Sequence, residues 1–443
     1  MSNNENNEIR DSFTSKTGFI LACIGSAVGM GNIWLFPYRV GQFGGAAFLI
    51  PYIIFIVLLG YTGLMGEFAF GRMTQTGPIG SFKKALETKN KNWGGFLGII
   101  PVVGAFGIAV GYAVVVGWFL RFLGGFITGS AMSAADSGAY FGELASPFGS
   151  IIWHLLALIL VSIVLISGIS KGIETMNKIM MPAFYILFVI VMVRVFMLDG
   201  AFEGIKYLVV PKWSSLMEPK TWIYALGQAF FSLSLAGSGM IVYGSYLKRD
   251  VDIMSSAKNT VIFDTLGAFL AGLVIIPAVF AFNLDPASGP PLLFITIPSV
   301  FKLMPFGRLF GVIFFISVLF ASITSLMNLL EVPIEAVQST FKLKRKLSVF
   351  IVVGAAFIFG LFAEDGNNLG VLMDFVSIYI IPIGAFIAAV MFFWVIGIEK
   401  AKSEIECGTD KKLGKLFEIS AKYVFVFLTI FVFIAGILLG GIG

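Results

Sequence analysis

GSAVGMGNIWLFPY, from Gly25 to Tyr38, and SLSLAGSGM, from Ser232 to Met240, point to the architecture of this chain. Both lie within long apolar runs, yet each is broken by glycine, which lowers helix propensity by up to about 1 kcal/mol per residue. The first also places the amide of Asn32 in mid-run, where it needs a partner. Gly25 and Gly29 form a small-xxx-small pair suited to close helix packing, and packing alone explains either stretch taken singly. Together they mean more. They fall in the first and sixth of ten spans, corresponding positions of two five-helix halves, which is the pattern of an inverted repeat whose unwound helices meet at a midplane binding site.

The surrounding composition supports a membrane setting. Of the 443 residues, 58% are apolar and 12% charged, with a mean hydropathy of +0.95, whereas about 25% charged residues is usual for a soluble protein. The chain therefore reads as an all-α polytopic membrane protein. Apolar runs predict eleven transmembrane helices, near 16–40, 45–72, 94–127, 150–169, 173–198, 221–246, 258–283, 308–341, 347–363, 370–397 and 418–442. Residues 1–15 are expected as a polar N-terminal segment and 16–397 as a core of two repeats, about 16–198 and 221–397; residues 398–443 would hold a loop on the N-terminal side and the eleventh helix. The opening MSNNENNEIRDSFTSK lacks the basic and apolar regions of a signal peptide, so a mature start is expected.

The 30 lysines and arginines divide 22 to 8 if the N-terminus is cytoplasmic, which sets that orientation and puts the C-terminus outside. Residues 128–149, 199–220 and 284–307 then become the longer outer loops, with DPASGPP at 285–291 an ordered cap. The runs Lys83–Lys91 and Lys342–Lys346 read as orientation signals. The formal charge of +5 is no nucleic-acid footprint in such a protein. One histidine, His154, and two cysteines, Cys23 and Cys407, leave no zinc set, haem ligand pair, Cys/His nucleophile or disulfide framework.

At the interrupted segments a family resemblance emerges. GSAVGMGNIWLFPYRVGQFGGAAFLIPY with GEFAFGR at 66–72, GYAVVVGW at 111–118, GQAFFSLSLAGSGMIVYGSYLKRD at 227–250, ASITSLMNLLEVP at 321–333 and LMDF at 372–375 resemble the neurotransmitter:sodium symporters over nearly the whole chain. The absence of a twelfth helix makes the chain similar to the eleven-helix bacterial branch that moves hydrophobic amino acids. The resemblance implies a leucine-transporter-type 5+5 inverted repeat with helices 1 and 6 broken, alternating access in a cell membrane, and sodium-driven amino-acid import without enzymatic chemistry.

An amino acid in a water-poor site needs both charges matched, since an unpaired one costs several kcal/mol. No lysine or arginine lies near the unwound centres of the two segments. The carboxylate must instead meet backbone amides at a half-helix N-terminus, here Met30 and Gly31, together with a hydroxyl and a cation. The resemblance makes that hydroxyl Tyr112 and receives the ammonium on carbonyls near Ala27, Phe231 and Ser232. Ile108, Phe231, Ser234, Gly237 and Leu329 are expected around the substrate side chain, with Gly237 giving room for tryptophan, phenylalanine, tyrosine or leucine.

Sodium is a hard cation that takes oxygen ligands, by extension from calcium and magnesium. The resemblance implies a first site of Ala27, Asn32, Ser232 and Asp264 plus the substrate carboxylate, and a second of Gly25, Val28, Ala321, Thr324 and Ser325. Taken alone, Thr324 and Ser325 would be bonded back to their own helix. The family's Gly-x9-Pro spacing recurs as Gly172 to Pro182 in GIETMNKIMMP, implying that the fifth helix opens to admit cytoplasmic water to the second site.

Three departures from the family pattern carry expectations of their own. Leu35 stands where relatives have the arginine of the outer gate, so Arg39, one turn higher, would face Asp374 instead. At the inner gate Arg10 and Phe13 are in place, while the acidic partner on the eighth helix is replaced by Ser339. Asp264 occupies a position usually held by asparagine. Its charge would supply what chloride supplies in many animal relatives, worth roughly 4 kcal/mol at about 4 Å and an effective dielectric near 20. Chloride independence follows, and so does proton counter-transport, because the carboxylate would take up a proton once sodium leaves. Of the other intramembrane acids, Glu67, Glu331 and Glu335, the first two would brace unwound backbone. A channel or receptor-like binding protein of the same fold is the competing reading, but no ring of charges or carbonyl filter is visible.

Overall fold

The computed structural model describes residues 11–286 and 292–442; Arg10 and residues 287–291 of the DPASGPP stretch lie outside the described residues. Among the described residues there are helices and no strands. Ala46–Thr74, Gly94–Thr128, Ile169–Phe196, Ile253–Ala281, Gly307–Phe341, Gly366–Ile405 and Lys415–Leu439 are long and apolar enough to cross a membrane. A further pair, Lys16–Ala27 and Gly31–Gln42, meets at a 52° bend. Ile151–Ile166 and Arg345–Leu361 are shorter apolar helices.

Capping fixes several helix starts. Ser15 accepts from the N–H of Gly18 at 3.0 Å, Asp252 from Ser255 at 2.9 Å and Asp365 from Asn367 at 2.9 Å. Each satisfies a donor that the first helical turn leaves unpaired. The stretches expected as outer loops contain helices of their own, Ser137–Leu144, Ala201–Val209 and Leu292–Leu303. Asp136 caps the first of these through Ala139 and Gly138, and those two amides hold its carboxyl below the usual range. Gly204 of the second lies against Pro277, where any side chain would collide.

The most apolar window of Gly94–Thr128 is 72% buried, against 28% for Lys415–Leu439. The former is therefore central and the latter peripheral. Phe122 and Phe126 of the central helix stack on Phe315 of Gly307–Phe341 with ring centroids 5.4 and 5.3 Å apart. A helix that is apolar all round does not reveal in its sequence which face meets protein and which meets lipid.

Buried polar contacts tie the helix ends. Arg72, fully buried at the end of Ala46–Thr74, donates to Glu404 at 2.7 Å, to the carbonyl of Val251 at 2.6 Å and to the carbonyl of Glu404. His154 lies 3.2 Å from Glu364, whose other oxygen accepts from the N–H of Ser150.

Candidate functional site

The Lys16–Ala27 helix stops where Val28 turns to an extended backbone conformation, its N–H closing on Ile24 at 2.7 Å. The second interruption separates Pro219–Ser232 from Gly239–Ser245, with Ser234 and Gly237 at φ of 53° and 66°. Buried side chains connect the two. The amide of Asn32 donates to the hydroxyl of Ser232 at 3.1 Å, to Asp264 Oδ1 at 2.8 Å and to the Asp264 carbonyl at 3.0 Å. Ser232 in turn donates to Asp264 Oδ2 at 2.9 Å. Asp264 is fully buried and, among the described residues, forms no ion pair with a lysine or arginine. Lys258, the lysine six residues earlier in the chain, is not bonded to it. A buried carboxylate held only by neutral donors is costly, by several kcal/mol, and a cation beside it removes that cost.

Next to this triangle is a cavity lined by Ala27, Met30, Gly31, Ile108, Tyr112, Phe231, Ser234 and Leu329. Phe230, Asn328, Val332 and Ile381 also line it, and none was singled out from sequence. One end is polar, since the hydroxyl of Tyr112 accepts from the N–H of Met30 at 3.0 Å. The remainder is mostly apolar. Gly237 does not line this cavity, contrary to expectation. A Cβ there would meet the Gly384 carbonyl oxygen at 2.5 Å and Ala388 Cβ at 2.9 Å, so both the positive φ and the close approach of a neighbouring helix require glycine. The N–H of Gly237 donates to Glu67 at 2.9 Å, so Glu67 braces the interrupted backbone.

On the other side of the first break, Gly25 and Ser26 lie against Thr324 and Ser325. A Cβ on Gly25 would be 2.9 Å from Thr324 Cβ and 3.1 Å from its hydroxyl, so only glycine permits this approach. Ser325 donates to the carbonyl of Ser26 at 3.2 Å, and Thr324 donates back to Ala321 and Phe320, each at 2.9 Å. Among the described residues no group of three His, Cys, Asp or Glu could hold a metal ion. The oxygens gathered at both breaks come from carbonyls, amides, hydroxyls and one carboxylate, a donor set that suits a weakly held hard cation.

The sequence model of the sodium:neurotransmitter symporter family matches residues 10–132 and 141–439. The chain belongs to that family. It is 36% identical over 432 residues to the uncharacterized sodium-dependent transporter YhdH of Bacillus subtilis, covering 94% of each chain. Identity to the uncharacterized sodium-dependent transporter MJ1319 of Methanocaldococcus jannaschii is 32%, over 98% of this chain and 92% of that one. The sodium-dependent serotonin transporter of Drosophila melanogaster is 29% identical, with 96% and 76% covered. Among solved structures, MhsT in complex with L-phenylalanine superposes with a TM-score of 0.87 at 35% identity, over 96% of this chain and 99% of MhsT. This symporter-family chain is thus a sodium-dependent multi-pass membrane transporter, and its relatives are transporters, not enzymes.

The gate residues expected of a symporter are arranged differently here. Arg39 donates to Gln42 at 3.0 Å and lies over the ring of Tyr224, 4.4 Å from its centroid. Among the described residues it forms no ion pair with Asp374, which is exposed. At the opposite end Phe13 is buried against Phe19 and Tyr243, with centroids 5.2 and 5.6 Å away. Ser339 donates to its own helix at Ala336.

Two further contacts escaped the sequence reading. Glu174 accepts from the N–H and hydroxyl of Thr14 at 2.6 and 2.7 Å, from Ser15 at 2.8 Å and from Lys178 at 2.6 Å. Arg345 grips Glu331 with two bonds of 2.9 and 2.7 Å, while Tyr246 donates to the same carboxylate at 2.8 Å. Arg345 is therefore more than an orientation signal, and Glu331 braces the end of the Gly239–Ser245 segment through Tyr246. Gln228 was also missed. It donates to the carbonyl of Gly31 at 2.8 Å, and its signal was a polar amide one turn before a glycine-interrupted stretch.

Proposed function

We propose that this chain is a sodium-coupled symporter that imports L-amino acids, with large hydrophobic and aromatic ones such as tryptophan, phenylalanine, tyrosine and leucine preferred. One observation carries the reading. The buried carboxylate of Asp264 joins Asn32 at the first break to Ser232 at the second, with neutral donors alone around it. A sodium ion held by Ala27, Asn32, Ser232 and Asp264 neutralises that charge. The substrate carboxylate, against Met30, Gly31 and Tyr112, becomes a further ligand of the same ion, which makes binding of cation and amino acid interdependent. The ammonium meets carbonyls near Ala27, Phe231 and Ser232, and the side chain lies among Ile108, Phe231, Ser234 and Leu329. The binding of L-phenylalanine by MhsT supports an aromatic substrate.

In this reading a second sodium is held by Gly25, Val28, Ala321, Thr324 and Ser325. The core comprises two inverted five-helix repeats, about 16–198 and 221–397, followed by an eleventh span. The N-terminus is cytoplasmic, the C-terminus outside, and the bilayer is that of the cell. Asp264 makes chloride unnecessary and carries a proton outward when sodium is absent. Arg10 and Phe13 belong to the inner closure and Arg39 with Asp374 to the outer one, the last pair meeting in a conformation other than this one.

Uptake into sealed vesicles tests the proposal. Concentrative uptake of labelled phenylalanine under an inward sodium gradient is expected, unaffected by exchanging chloride for gluconate and accompanied by outward proton movement. Equilibration without accumulation would mark a channel. Sodium-dependent binding without any translocation would mark a receptor.

A further inference from the structure

The helix Ile169–Phe196 contributes a buried polar atom whose role the preceding reading leaves open. Asn177 is fully buried, between Gly172 and Pro182. Its Nδ2 donates to the carbonyl of Ile173 at 2.8 Å, one turn earlier in the same helix. Its Oδ1 accepts no hydrogen bond from any described residue. An unsatisfied amide oxygen in such a place costs about 1–3 kcal/mol, so its persistence calls for a partner of positive character.

The direction of that oxygen identifies the partner. A Cβ built on Gly25 would fall against Asn177 Oδ1 and 3.1 Å from the hydroxyl of Thr324. Three helices thus converge there: one with the Gly25 backbone, one with Thr324, and one with the free amide oxygen of Asn177. The nearest cationic side chain along its own helix, Lys178, is committed to Glu174 at 2.6 Å. Aliphatic packing at position 177 would fill the same space without an orphaned acceptor.

We infer that Asn177 Oδ1 is an additional oxygen ligand of the second sodium, contributed by the Ile169–Phe196 helix. This rests on the symporter reading and deepens it. The bond from Nδ2 to Ile173 holds the amide in place only while the 172–182 stretch is wound. Opening that stretch withdraws one sodium ligand as water arrives, so sodium occupancy and the wound state stabilise each other by the same free energy. Asn177 is then both a ligand and the element that senses occupancy.

Sodium titration of purified Asn177→Leu tests the inference, with tritiated phenylalanine binding as one readout and the sodium-induced rise in melting temperature as the other. The half-saturating sodium concentration should increase about tenfold, equivalent to about 1.4 kcal/mol. Phenylalanine affinity at saturating sodium should change less than about twofold. The sodium-induced rise in melting temperature, compared at one fixed subsaturating concentration, should shrink. In choline, the melting temperature should stay level or rise, because an unsatisfied buried acceptor has been removed. If Asn177→Leu does not fold, Asn177→Ala removes the oxygen without added bulk and carries the same expectation. An unchanged half-saturating sodium concentration in the Leu or Ala variant would overturn the inference while leaving the symporter reading intact. Loss of sodium-dependent binding in the unaltered protein would instead overturn the symporter reading.

Discussion

Replacing Asp264 by asparagine removes a charge and little else. Asp264 Oδ1 accepts from Asn32 at 2.8 Å and Oδ2 from Ser232 at 2.9 Å. The asparagine carbonyl can keep the first bond, and its amide can donate to Ser232 once that hydroxyl turns. What disappears is the attraction between a carboxylate and a cation bound beside Asn32 and Ser232. At about 4 Å and an effective dielectric near 20 this attraction is roughly 4 kcal/mol. Dehydration of the carboxylate offsets part of it, leaving about 2–4 kcal/mol, or roughly 30- to 1,000-fold in sodium affinity. The assay is equilibrium binding of phenylalanine to purified protein as a function of sodium, performed in chloride and in gluconate. The unaltered protein should give the same curve in both salts. Asp264→Asn should need far more sodium in gluconate and recover part of its affinity in chloride, where an external anion replaces the lost charge. The same variant in vesicles should lose outward proton movement. A half-saturating sodium concentration within twofold of the unaltered protein, or strong chloride dependence before mutation, would refute the assignment of Asp264.

Tyr112→Phe removes the hydroxyl bonded to the Met30 amide and should lower amino-acid affinity about tenfold at saturating sodium, measured by equilibrium binding. Gly237→Phe should reduce the yield of folded protein for all substrates alike, because position 237 has a positive φ and lies against Gly384; normal thermal stability with selective loss of tryptophan would put Gly237 back in the pocket. Pro182→Ala restores a helix hydrogen bond and should slow turnover several-fold with binding unchanged, so wild-type turnover in vesicles would count against a hinge there. Glu404→Gln leaves the buried Arg72 without its carboxylate, a loss of about 3–5 kcal/mol that should lower the melting temperature by several degrees in a thermal-shift measurement.

Composition and local pattern alone determined that the chain is a helical membrane protein and that two helices are interrupted, whereas the grouping of Asn32, Tyr112, Ser232 and Asp264 was implied by the family resemblance of the motifs around them. Glycines and polar amides inside apolar runs are conspicuous because hydrocarbon gives them no partner, so their positions are legible before any folding. Tertiary structure alone decided which way such residues face. Gly237 lies in the right stretch, but a side chain there would meet the Gly384 carbonyl of a neighbouring helix. Arg39 stacks on Tyr224, Arg345 reaches Glu331, and Glu174 gathers Thr14, Ser15 and Lys178. Apart from Glu174 and Lys178, an i,i+4 pair on one helix, none of these pairings has a spacing rule, because the partners come from distant parts of the chain and meet only through the way the helices pack. The free amide oxygen of Asn177 is the clearest case: an ordinary asparagine in the sequence becomes a candidate ligand only because Gly25, lacking a side chain, lets its helix approach so closely.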